Sequence, residues 1–109
     1  MSVMSLRAVC ITTEKGKKSL GRVLKHFREA NGWSIDRLIA EIDDATGYSM
    51  SKSAISELER GNTDPKWNTL AIIAGTGYIK DPVTGNPLTT SDLFKIACED
   101  FDVVKLVST

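Results

Sequence analysis

Lys52, Ser53, Ser56, Glu57 and Arg60 crowd one short stretch, "SKSAISELERGNTDP", in which apolar residues are few. Their types suit hydrogen bonding at close range. A hydroxyl donates and accepts, a carboxylate accepts, and an ammonium or guanidinium donates. Short side chains let a helix sit close to whatever it meets. Ala54, Ile55 and Leu58 form a narrow inner stripe, so the opposite side of this helix must stay wet or meet something. A helix of this kind fits the major groove of a duplex, where base edges display donors and acceptors.

Other chemistries find little support in the residues. His26 is the single histidine, which excludes a multi-histidine metal or catalytic site. Cys10 and Cys98 form no Cys-x-x-Cys pair and read as buried free thiols of a reducing compartment. Asp43-Asp44 is a polar turn, and "GTGY" and "TGNP" lack the Lys-Ser/Thr of a phosphate loop. No enzyme, metal or cofactor is expected. The opening "MSVMSLRAVC" lacks a signal peptide's order, and no apolar run reaches membrane-spanning length. These features predict a cytoplasmic protein with no membrane partner.

The elements that must position these side chains follow from periodicity. The 109 residues predict one domain with one modest core. "SLRAVCITT" reads as a strand or extended arm, and "EKGKK" as a basic turn. The first helix, "SLGRVLKHFREANG", takes Ser19 as cap and turns Leu20, Val23, Leu24, Phe27 and Ala30 inward. Ser34 caps a second helix, "SIDRLIAEI", with Leu38 and Ile42 inward, and "DDATGYS" breaks the chain. The third helix runs from cap Ser51 to stop Gly61. Asp64 caps a fourth, with Pro65 in its first turn and Trp67, Leu70, Ile73 and Ala74 on one face. After a loop at 78–89 with room for a small hairpin, a fifth helix, "TSDLFKIACEDF", turns Leu93, Phe94, Ala97 and Phe101 inward. "DVVKLVST" reads as a terminal strand. Spacing reads Trp67 as core and Trp33 as core edge, not as stacking platforms.

The charge sums to zero, but residues 1–37 hold eight Lys/Arg against three Asp/Glu. Lys15, Lys17, Lys18, Arg22 and Lys25 form a local basic cluster, which is what a polyanion needs. Lys15, Lys17 and Lys18 read as a basic arm that follows a backbone.

Residues 20–74 and part of the fifth helix resemble the Xre/Cro/C1-type helix-turn-helix family of bacterial and phage repressors. The string "SKSAISELERGNTDPKWNTLAIIA" carries most of the likeness, with Leu20, Leu24, Arg28, Gly32, Ser34, Leu38 and Ala40 before it. The resemblance implies an all-α, five-helix repressor-like domain over 19–101. Residues 1–18 would be a strand or basic arm, and 102–109 a terminal strand or tail. It implies Lys52, Ser53, Ser56 and Glu57 as the groove-facing part of a recognition helix, Ser34 on a phosphate, and Asn62 and Lys66 near the backbone. Arg60, by its place in the last turn, reads as a backbone contact. Arg28 would pair with Glu59 in a structural role. Ile35 stands where the family often has Gln, and reads as core or as a contact for a thymine methyl. Insertions fall within "DDATGYSM" and "YIKDPVTGNPLT". The implied function is a sequence-specific regulator, a repressor acting on double-stranded DNA as a homodimer. The alternative is an antitoxin or accessory protein that uses the same domain to bind a protein partner through residues 78–89 and the termini.

Overall fold

The computed structural model describes residues 11–99. In chain order the elements are α1, Glu14–Ala30; α2, Ile35–Thr46; α3, Lys52–Arg60; α4, Trp67–Ala74; and α5, Thr90–Ala97. The fold is all-α with five helices. Among the described residues there is no strand, only an isolated antiparallel bridge between Lys80 and Pro87 that closes the loop before α5. The expected strands at 5–13 and 102–109 lie outside the described residues, except for Ile11–Thr13, which have no regular structure.

Short hydroxyl side chains start four of the helices by accepting a backbone N–H that the first turn leaves unpaired. Ser34 Oγ accepts from Arg37 N at 3.0 Å, Ser51 Oγ from Ala54 N at 3.1 Å. Thr89 and Asp92 at the start of α5 exchange bonds of 3.1 and 3.0 Å. α1 departs from the expected start. Its cap is Thr13, not Ser19, with Gly16 N donating to Thr13 Oγ1 at 2.9 Å. "EKGKK" is therefore helix, and Lys15, Lys17 and Lys18 belong to its first turns, not to an arm. Gly16, within the stretch read as a turn, is accommodated in the helix because the bare backbone there lies against the Ala97 carbonyl. α2 also runs longer than expected: Asp43–Thr46 continue the helix to a left-handed Gly47. Most of the extra length between α2 and α3 is thus one more helical turn. α4 begins late, at Trp67, and its N-cap Lys66 makes no side-chain cap bond. Asp64 instead accepts from Thr12 Oγ1 at 3.0 Å and lies 3.5 Å from Lys17 Nζ.

One core unites the elements. Leu20, Val23 and Leu24 of α1 meet Ile55 and Leu58 of α3 and Leu93, Ile96 and Ala97 of α5. Leu38 and Ile42 of α2 and Leu70 and Ile73 of α4 complete it, with Tyr78, Ile79 and Leu88 from the loop. Three inward assignments fail. Ala30, in the last turn of α1, and Ala54 are exposed. Trp67 is 51% exposed and stacks on Phe94 at 5.8 Å, because α4 turns Leu70 and Ile73 inward and leaves its first turn outside. Phe94 is itself only partly buried, and Phe101 lies outside the described residues.

The described ends of the chain lie side by side: Thr13 N donates to Ala97 O at 3.1 Å, and Thr13 Oγ1 donates to Glu99. The expectation of free thiols is corrected here. Cys98 is disulfide-bonded, and Cys10 lies outside the described residues. Separation along the sequence hid how closely the two ends approach.

Candidate nucleic-acid interface

α3 is fixed from three sides. Ile55 and Leu58 enter the core at 2% and 5% exposure. Toward α1, Arg28 Nε donates to Glu59 Oε2 at 2.7 Å and Arg28 NH2 to Glu59 Oε1 at 3.0 Å, the two-pronged geometry that suits guanidinium and carboxylate. Arg28 NH1 also donates to the Trp33 carbonyl at 2.7 Å, so one side chain ties α1 to α3 and to the turn before α2. The Glu59 hydrogen bond raises the Arg28 pKa further above its ordinary value. The third side is backbone on backbone. A Cβ on Gly21 would stand 2.4 Å from the Glu59 carbonyl oxygen and 2.6 Å from that of Leu58.

With that side held, the other side is open. Lys52, Ser53 and Arg60 are exposed, and Ser56 and Glu57 are half-exposed. Ser53, Glu57 and Arg60 recur at four and three residues and share a face. A shallow groove of about 440 Å³ runs between α3 and the chain entering α4. It brings Ser53 and Glu57 together with Lys66. Asn62 is exposed beyond Gly61, and its N–H donates to the Glu57 carbonyl at 3.0 Å. Ser34 is exposed at the start of α2, its Oγ already accepting the Arg37 N–H. Ile35 is partly buried and packs against the core, which favours the first of its two readings.

The electrostatics of this face are unexpected. Lys52 Nζ lies 3.7 Å from Asp36 Oδ2 on α2, and Arg60 NH1 lies 2.7 Å from Glu57 Oε2. Arg37 pairs with Glu41 at 2.7 Å, and its guanidinium also lies 5.9 Å from the Trp33 ring centre. Lys17 sits between Glu14 at 2.8 Å and Asp64 at 3.5 Å, and its hydrogen bond to Glu14 is the main reason its pKa is raised. The cations of α3 are therefore matched within the fold. Sequence reading missed Asp36 as the partner of Lys52, since the two meet only because α2 and α3 cross. It also missed Gly21, which in the sequence is an unremarked residue inside a helix.

Among the described residues no cluster of His, Cys, Asp and Glu is arranged to hold a metal ion, and no helix is long and apolar enough to cross a membrane. His26 is half-exposed and packs edge-on against its neighbour Phe27. Trp33 is half-buried and meets Tyr78 at 5.7 Å. A family model described as a helix-turn-helix domain matches residues 19–75, from within α1 to just past α4. No curated protein and no solved structure matches the chain.

Proposed function

The chain belongs to the helix-turn-helix domain family, and from that premise we propose that it is a sequence-specific regulator of the Xre/Cro/C1 type, acting as a repressor. Helix-turn-helix domains bind duplex DNA by laying the second helix of the motif in the major groove. Here that helix is α3. The observation that carries the reading is its asymmetry: Ile55, Leu58 and Glu59 are held inward while Lys52 and Ser53 stand in solvent. In this reading Lys52, Ser53, Ser56 and Glu57 face base edges. Ser34, Arg60, Asn62 and Lys66 lie toward phosphates. One unit contacts few bases, so a homodimer on a two-fold site completes the reading, with recognition helices about 34 Å apart.

Selection of bound duplexes from a random pool tests this. Wild type should enrich a two-fold motif, and a variant carrying Lys52→Ala, Ser53→Ala and Ser56→Ala should enrich none. Enrichment of nothing by wild type at low salt would reject the regulator reading.

The antitoxin or accessory-protein reading has its own support in Trp67, which exposes a large ring beside Phe94 and Lys95. The loop at 78–89 offers less surface than its length suggests, because Tyr78, Ile79 and Leu88 are buried and only its outer part, with Val83 at 80% exposure, is free. A stoichiometric partner that co-purifies with wild type and is lost on Trp67→Ala would favour this second reading.

A further inference from the structure

α1 carries a feature that the recognition helix lacks. Lys15, Lys18, Arg22 and Lys25 are all exposed, and they recur at three, four and three residues, so they form one stripe along the outer side of the helix. At the helical rise they span about 15 Å. None of the four has an ion-pair partner among the described residues, whereas Lys52 and Arg60 on α3 are each held by a carboxylate. Lys17, in the same turns, points elsewhere and is occupied by Glu14 and Asp64. The stripe ends at Glu29, a further turn along.

The stripe is continuous with the α3 face. Lys18 lies against the end of α3: its Cα is 2.8 Å from where a Cβ on Gly61 would stand. Gly61 leads directly to Asn62, and α1 is pressed on the last turn of α3 through Gly21. A duplex seated on α3 therefore has its flanking backbone on the side where the unpaired cations begin.

We propose that the outer stripe of α1 is a phosphate-gripping surface, binding the duplex backbone beyond the phosphates that Ser34, Arg60, Asn62 and Lys66 approach. This rests on the DNA-binding reading and divides its labour. α3, with its charges matched internally, contributes selection and little net attraction. The four stripe cations of α1, with no counterion among the described residues, contribute attraction and no selection, since phosphate contacts carry no sequence information. An evenly spaced row of cations suits a partner with evenly spaced anions, and a duplex strand is such a partner.

The test is the salt dependence of binding by the full chain, measured with the duplex that wild type enriches and with a random duplex. The variant carries Lys18→Gln, Arg22→Gln and Lys25→Gln. All three residues are exposed, and its helix content and Tm verify the fold. For every phosphate that the protein no longer neutralises, the slope of log affinity against log salt falls by about 0.9. The variant's slope should be shallower by about two to three, and its binding about tenfold or more weaker on both duplexes alike, with its preference between them kept. An unchanged slope where wild type binds would overturn the stripe and leave the DNA reading standing; it is also the outcome expected if the stripe serves an acidic protein. Weakening confined to the enriched duplex would overturn it too, by making the stripe a reader of sequence. If wild type binds neither duplex at low salt, the DNA reading itself fails and this inference with it.

Discussion

Arg28 and Glu59 are the residues on which the placement of α3 most depends. Their side chains are only 10% and 7% exposed, and removing one partner leaves the other as a buried charge. Breaking such a pair costs about 3–5 kcal/mol. Arg28→Met should therefore lower the urea midpoint sharply. At low temperature, where the variant stays folded, its ranking of duplex sequences should match wild type, because the pair positions the helix and reads nothing. Tyr78 makes a different prediction. Its hydroxyl is buried with no hydrogen-bond partner among the described residues. Burial is the main cause that pushes its pKa well above the ordinary value of 10.0, with the Glu59 charge adding and Arg28 opposing. The folded state thus keeps this proton at a pH where the unfolded chain has released it. The resulting stability is whole below about pH 10 and falls above it by about 1.4 kcal/mol per pH unit. Tyr78→Phe should remove that alkaline loss, and at pH 7 it should gain about 1 kcal/mol because an unpartnered hydroxyl has gone. Urea titrations of both proteins at about pH 7, 9.5 and 11 check the two effects together.

At the scale of elements, the close seating of α1 on α3 depends on a missing side chain. A methyl at position 21 would overlap the carbonyls of Leu58 and Glu59, which are backbone and cannot turn aside. Gly21→Ala should therefore destabilise despite alanine's better helix propensity, by about 1–3 kcal/mol as overpacking does. A rise in Tm would mean that the two helices separate freely. This seating also marks where the sequence stops being readable. The five helices, the caps Ser34 and Ser51 and the stop at Gly61 follow from local rules, since each is satisfied within a turn of itself. Leu20, Leu24, Leu38, Ile55, Leu58, Leu70 and Leu93 follow from periodicity. What fails needs knowledge of a neighbour. "EKGKK" reads as a turn until Ala97 is beside Gly16, Trp67 reads as core until α4 is rotated by Leu70 and Ile73, and Asp36 means little until α2 crosses α3. The face of α3 was legible in its residue types. Its charge balance was not, because the balance is made between helices.

For the whole molecule, a net charge of zero does not mean a uniform surface. Carboxylates concentrate around α3 and cations along α1. Neutralising Asp36 and Glu57 by Asp36→Asn and Glu57→Gln releases Lys52 and Arg60, so affinity for a random duplex should rise several-fold at about 0.1 M salt while preference for the enriched duplex falls. Competition assays with random DNA read both quantities, and an unchanged random affinity would show that those pairs do not restrain binding. The meeting of Thr13 with Ala97 has a wider consequence. A chain whose two described ends touch is close to a ring, and the order in which its helices are synthesised is separable from the shape they make. The outer turn around Val83, which is 80% exposed, is then the natural place to open a circularly permuted version that keeps every helix where it stands.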